Sequence, residues 1–256
     1  MIIDTNFDHL PYLNTPCLLT IGVFDGMHLG HQKIFQKMHE LNPHAHQVAV
    51  TFSKQPFEVL FPQKALPALF SLEQRKALLR STHLNRLVLL DFSEAISQMS
   101  YDAFLDKLYA HFHFSDLVLG EDATFGKNRH GIPKNVIPYA AKKGFNIHYI
   151  PLEKKQGETI TSTAIKKALV QADIQKAIQF LGRPLEYHLS IDDIDDKNIL
   201  VNRQQLAHLP EGEYAIFHNQ EKRLMKILPH QIILVGLKHA ISQIDAPVII
   251  DIKEKN

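Results

Sequence analysis

"LTIGVFDGMHLGHQKIFQKM", Leu19 to Met38, decides the fold class. An apolar run gives way to Gly22 and Gly26, then to a His-Leu-Gly-His tetrad, His28 to His31. An amphipathic pattern follows, with Ile34, Phe35, Met38 and Leu41 on one helical face. The stretch therefore reads as strand, turn, helix. Outward from it, further strand candidates are Gln47–Phe52, Arg86–Leu90, Asp116–Leu119 and Asn146–Ile150, beside Leu18–Phe24 itself. All are nearly continuous in apolar character, as strands covered on both faces are. Helical patterns at Leu72 to Leu79 and Tyr101 to Phe112 alternate with them. Such alternation predicts right-handed crossovers and a parallel sheet, an α/β fold. Two helices in tandem, Ser162–Gln171 and Asp173–Leu181, close this region.

The pattern changes at "LGRPLEY", Leu181 to Tyr187, where Pro184 stops the helix. Short β-like pieces follow at Tyr187–Ile191, Tyr214–Phe217, Ile232–Val235 and Val248–Ile252, and the acidic run "DDIDD", Asp192 to Asp196, reads as a solvated loop. The expected organisation is a first domain over 1–184 and a small β-rich second domain over 185–256.

A chain of 256 residues with 45% hydrophobic and 21% charged residues is ordinary for a globular protein. Lys and Arg number 28 against 27 for Asp and Glu, so no global field draws nucleic acid or anionic lipid. The single cysteine, Cys17, opens the run "CLLTI" and reads as a buried thiol, which fits a reducing cytoplasm. The N-terminus has no basic segment followed by an apolar core, so no signal peptide is expected, and the apolar runs are too short to span a bilayer.

Ligands of open α/β sheets bind beyond the carboxyl ends of the strands, where "GVFDGMHLGHQ" falls. Gly22 and Gly26 allow tight turning, and Gly30 leaves room for a polyphosphate. A helix starting near His28 puts His28 and His31 one turn apart on one face, beside the unpaired N–H groups and positive end of the helix. Glycines, imidazoles and helix start together suit a phosphate. Zinc is the competing reading of a His pair, but a convincing set of further ligands is missing nearby. "ITSTAIKKAL", Ile160 to Leu169, offers Thr161, Ser162 and Thr163 as hydroxyl caps and Lys166 one turn on; ordinary helix capping is its plainer reading. "LGEDATFGKNRHG", Leu119 to Gly131, is a glycine-rich loop at the ligand edge that carries Asp122, Lys127 and Arg129 and is expected to be mobile.

These motifs, in this order, resemble the bacterial FAD synthetase family, the bifunctional riboflavin kinase/FMN adenylyltransferases. Gly22 to His31 match that family's Gly-x-Phe-Asp-Gly-x-His-x-Gly-His signature throughout. "TFSKQP", Thr51 to Pro56, resembles its Thr-Phe-x-Pro-His-Pro segment, with Lys54 and Gln55 in place of Pro-His. "GEDATFG" resembles its Gly-x-Asp-Phe-x-Phe-Gly loop, with Ala123 where an aromatic is usual, and "ITSTAIK" its Ile-Ser-Ser-Thr-x-Ile-Arg motif, with Thr161 for Ser and Lys166 for Arg. "FLGRPLEY" is similar to the family's join between domains.

The resemblance implies a Rossmann-like nucleotidyltransferase making FAD and pyrophosphate from FMN and ATP. It implies His28, His31 and Lys166 as catalytic residues on the phosphates. Gly22, Phe24, Asp25, Gly26, Gly30, Ser162 and Thr163 would bind ATP, and Asp122, Phe125 and Arg129 would lie near the flavin or the triphosphate. Mg²⁺ would come with ATP, and no residue is assigned as a metal ligand. Residues 185–256 contain no Gly-Phe-Pro-Thr-Ala-Asn segment, which the family's kinase barrel carries, although "LPEGEYAIF" resembles one of its strands. The tail is therefore expected to be a degenerate barrel, without riboflavin kinase activity, that packs on the first domain or on a protein partner. Two other functions stay open: nucleotidyl transfer to a different phosphorylated metabolite, and non-catalytic binding of flavin or nucleotide by a regulator.

Overall fold

In a computed structural model the described residues are 1–194, 198–237 and 248–255. They divide into two compact units, Met1–Ala65 with Lys76–Lys154, and Leu66–Arg75 with Lys155–Asn256.

The first unit is built on a parallel sheet. Its elements are β1 (Ile2–Asp4), β2 (Cys17–Ile21), α1 (Leu29–Leu41), β3 (His46–Phe52), α2 (Pro56–Leu60), the latter part of α3 (Leu72–Arg80), β4 (Arg86–Leu90), α4 (Glu94–Gln98), α5 (Tyr101–Phe112), β5 (Asp116–Gly120), α6 (Pro133–Lys143) and β6 (Asn146–Ile150). The strand order is β1-β4-β3-β2-β5-β6, and every pairing is parallel. From β2 the chain steps outward through β3 to β4, then returns to place β5 on the other side of β2. That reversal is the topological switch point, where the crevice of a doubly wound sheet opens. β2 is buried at all its positions, as its unbroken apolar run requires. Ile34, Phe35 and Met38 bury the inner face of α1, which packs against β2, β5 and β6. Cys17 is fully buried, and burial pushes its thiol up to about 12. Strands β3 to β6 lie within a residue of the apolar runs that placed them, while β2 stops at Ile21 rather than Phe24, because the backbone at Phe24 has already turned left-handed.

The second unit holds the tail and more. β7 (Lys154–Lys155), whose second residue opens this unit, and β8 (Glu158–Thr159) form a short hairpin before α7 (Ser162–Val170) and α8 (Ile174–Leu181). Then come β9 (Leu185–Leu189), β10 (Asp193–Ile194), β11 (Ile199–Asn202), β12 (Gly212–His218), β13 (Glu221–Ile227), β14 (Gln231–Val235) and β15 (Val248–Lys255). They form an antiparallel sheet in the order β10-β11-β14-β13-β12-β15-β9. Part of the acidic run departs from the expected loop: Asp193 and Ile194 pair with Leu200 and Ile199, because a mostly apolar partner strand offers free backbone groups there. Asp195 and Asp196 lie outside the described residues.

The second unit also includes α7, α8 and an excursion from the first half of the chain, Leu66–Arg75. Within that excursion Leu69 and Phe70 are buried. The Phe70 ring lies 5.1 Å from the Tyr187 ring, and the Arg183 guanidinium stands 5.0 Å over it. His208 Nε2 donates to the Pro67 carbonyl at 2.8 Å. Gln74 Nε2 donates to the Glu186 carbonyl, and its Oε1 accepts from His188 N at 3.2 Å. No helix among the described residues is long and apolar enough to cross a membrane.

Phe70→Ala is expected to lower unfolding stability by ~3–5 kcal/mol, the usual loss for deleting a buried aromatic. Urea titration checks this; a change below ~1 kcal/mol would remove the excursion from the core of the second unit.

Candidate active site at the first strand-to-helix turn

The turn between β2 and α1 is built from left-handed backbone. Phe24, Gly26 and Met27 have φ of 53°, 90° and 45°. Two of the three are not glycine, and such residues persist only where their surroundings hold them. Phe24 is held by its ring, which lies in the space that a side chain at Gly22 would need: a Cβ there would stand 2.8 Å from Phe24 Cζ. The ring then packs on Phe35 at 5.1 Å and meets His31 edge-on at 5.4 Å. Of the residues assigned to ATP, Phe24 is thus turned inward, supporting His31 from beneath. Thr51 Oγ1 donates to the Val23 carbonyl at 3.2 Å and Gln32 Nε2 to the Met27 carbonyl at 2.9 Å, both fixing the turn.

His28 is the N-cap residue of α1, with no side-chain cap and no acidic residue in the first turn. Within the first turn no acidic side chain opposes the positive end of the helix; the nearest carboxylate that acts on His28 is Asp25, before the helix starts. The His28 and His31 rings stack, with centroids 3.7 Å apart and planes 20° from parallel. A Cβ at Gly30 would press on the His28 ring at 3.3 Å, so the glycine makes room for an imidazole as well as for any ligand. Nδ1 of each histidine is enclosed and has no hydrogen-bond partner. Burial lowers the His28 pKa to about 4, against a smaller opposing pull from Asp25. Burial, then the neighbouring His28, holds His31 well below the ordinary range. Near neutral pH both are uncharged. The pair can donate or accept hydrogen bonds but brings no fixed positive charge until an anion arrives to favour protonation.

Asp25 is buried and accepts from Gln55 Nε2 at 2.9 Å. In the sequence Gln55 stands out only as a departure from the family pattern; its reach to Asp25 depends on β2 and β3 pairing in register, which no local motif announces.

The loop after β5 starts beside the same edge, because β2 and β5 are neighbours. It is tied at several points along its length. Phe125 and Gly131 form an isolated bridge, Lys127 N donates to the Met99 carbonyl at 2.7 Å, and Arg129 Nε donates to Thr124 Oγ1 at 2.8 Å. Phe125 is half-buried against Phe104. Asp122 and Arg129 remain exposed.

The third cluster opens α7 and belongs to the second unit. Thr161 is the N-cap, its hydroxyl accepting from Ala164 N at 3.0 Å. Capping is therefore its work, while Ser162 and Thr163 lie in the first turn and Lys166 is buried, 5% exposed.

The His28 shift has a measurable sign. Its folded pKa of about 4 lies below the ordinary 6.5. Between those values the unfolded chain takes up a proton that the folded chain refuses, so stability present in full above the unfolded value is lost as pH falls toward the folded one. The urea midpoint of wild type is expected to fall across that window, and that of His28→Gln to fall less. Parallel curves for the two proteins would contradict the buried neutral state.

The family model for FAD synthetase matches residues 11–164. The bifunctional riboflavin kinase/FMN adenylyltransferase of Haemophilus influenzae is 31% identical over 173 residues, covering 66% of this chain and 56% of that protein. The protein of the same name from Escherichia coli is 28% identical over 171 residues, covering 66% and 55%. The chain thus spans somewhat more than half the length of these relatives. Among solved structures, a macrolide-efflux protein from Streptococcus pneumoniae superimposes with a TM-score of 0.81 at 17% identity, over 100% of this chain and 90% of that one, a likeness of fold alone. With the signature of Gly22 to His31 in place at the switch point and most of the chain's first two-thirds matched, the chain belongs to the FAD synthetase family.

Proposed function

We propose that this protein is an FMN adenylyltransferase. A phosphate oxygen of FMN attacks the α-phosphorus of ATP, a new P–O bond forms FAD, and the bond to the bridging oxygen breaks to release pyrophosphate. The observation that carries the reading is the stacked His28–His31 pair, with unpartnered nitrogens at an uncapped helix start, within a chain of this family.

The nucleophile is already ionised near neutral pH, so the chain needs no strong general base. Catalysis is positioning and stabilisation of growing charge. His28 and His31 donate to phosphate oxygens, the N–H groups of α1 add their dipole, and Gly30 keeps the approach open. Ser162, Thr163 and Lys166 are retained as phosphate contacts on their residue types and motif. Asp122, Phe125 and Arg129 are retained near the flavin or the triphosphate. Mg²⁺ would arrive on ATP and share its charge; among the described residues no group of three or more His, Cys, Asp or Glu side chains could hold a metal, so the ion is assigned to the triphosphate. We assign the catalytic module to 1–184 and a barrel-derived, partner-binding role to 185–256. We place the protein in the cytoplasm, which its single buried thiol suits.

Purified protein with MgATP and FMN is expected to yield FAD and pyrophosphate, resolved by chromatography; riboflavin in place of FMN should yield neither FMN nor FAD. FMN returned unchanged, with another phosphorylated metabolite nucleotidylated, would leave only the wider superfamily assignment, a reading that Gln55 and Ala123 keep in view as departures at the flavin end.

His31→Ala should lower kcat with little change in FMN binding. A donor to transition-state charge is typically worth ~2.7–4 kcal/mol. A folded His31→Ala protein within a few-fold of wild-type kcat would remove His31 from the mechanism.

A further inference from the structure

Gln55 joins the start of α2 to the turn before α1. It is the N-cap of α2, where Glu58 N donates to the Gln55 carbonyl at 2.9 Å and Glu58 Oε2 accepts from Gln55 N at 3.2 Å. Its side-chain amide Nε2 donates to Asp25 Oδ2 at 2.9 Å. Asp25 is 4% exposed and sits between left-handed Phe24 and Gly26, three residues before His28. His28 in turn has an enclosed Nδ1 without a partner and a stacked neighbour in His31. A direct contact thus runs from the start of α2 to the turn that carries the histidines, and the bonds that its backbone makes with Glu58 hold the residue from which the amide reaches Asp25.

We propose that Gln55 is a positioning residue for adenylyl transfer: its amide clamps the Asp25 carboxylate and thereby sets the placement of the His28–His31 pair. The proposal rests on the adenylyltransferase reading, and it adds a residue to that mechanism which touches no reacting atom. Hydrogen bonds to a buried charge are among the strong ones, so removing this donor, or replacing it with a second carboxylate, disturbs the placement of Asp25 and of the turn that carries it. The loss is expected in the turnover step, because misplacing a donor by a fraction of an ångström weakens contacts made to the transition state more than those that merely hold substrate.

The test is a set of three variants. Gln55→Glu keeps the backbone bonds of the α2 cap but faces Asp25 with a second carboxylate. Gln55→His restores a ring N–H donor. Gln55→Glu combined with Asp25→Asn rebuilds the bond with donor and acceptor exchanged. Gln55→Glu is expected to lower kcat on the order of tenfold to a hundredfold, with KM for FMN and ATP changing much less. Gln55→His should keep most of the turnover, and the double variant should recover activity relative to Gln55→Glu alone. The side-chain ¹H–¹⁵N resonances of His28, assigned by their disappearance in His28→Gln, should shift in Gln55→Glu and move back in the double variant. A merely structural cap would predict equal damage from Gln55→Glu with and without Asp25→Asn, and unmoved His28 resonances in folded protein; either result overturns the proposal. If wild type does not adenylylate FMN, the adenylyltransferase reading has failed, and the resonances alone decide whether Gln55 sets the histidines.

Discussion

The Phe24 ring beneath Gly22 is the contact on which the site depends. A six-membered ring occupies the volume of an absent side chain, and in doing so holds a non-glycine residue at a φ of 53°. Left-handed non-glycine residues cost on the order of 1–3 kcal/mol each, so the burial of Phe24 and its contacts to Phe35 and His31 must offset that cost. The consequence is directional. Once the backbone is forced through this turn, α1 starts at the edge of β2 with His28 at its cap and His31 one turn later, and the rings have little choice but to stack. The enclosure that orders the imidazoles also keeps them uncharged, so the same packing that fixes the shape of the site leaves both rings neutral before substrate arrives.

Much of this is legible in the residues. Strands buried on both faces carry an unbroken apolar signature, which is why β2, β3, β4, β5 and β6 can be placed from pattern alone. The turn is legible because it needs small residues and chemistry-bearing ones at fixed offsets. α6 is not, since Pro133 and Pro138 mask its helical period: Pro133 sits at a helix start, where its missing N–H costs nothing, and Pro138 lies within the helix. β13 escapes because Glu221, Lys222, Arg223 and Lys226 outnumber the apolar residues of a strand that faces solvent on one side. Edge strand β1 is three residues long and carries little signal.

The site is less legible than the fold in one respect. Local spacing can put two histidines on one helical face, but it cannot say which long side chain from a neighbouring strand's loop will reach them. Gln55 is separated from Asp25 by a helix and a strand, and only the β2–β3 register brings them together. The same limit applies to the segment 66–75, whose membership in the second unit rests on contacts to residues far along the chain, Tyr187 and His208 among them.

Gln74 adds a different consequence. β9 is an outermost strand of its sheet, paired on one side with β15. On its other side the Gln74 amide takes the Glu186 carbonyl and the His188 N–H, the two bonds that a neighbouring strand would make. A single side chain, 2% exposed, so imitates one peptide unit of an eighth strand. An open strand edge is a template for pairing with another copy of the chain or with an unfolded segment. With the Glu186 carbonyl and the His188 N–H already occupied, that stretch of the edge is closed to a pairing chain, and the sheet there ends in an amide borrowed from a helix.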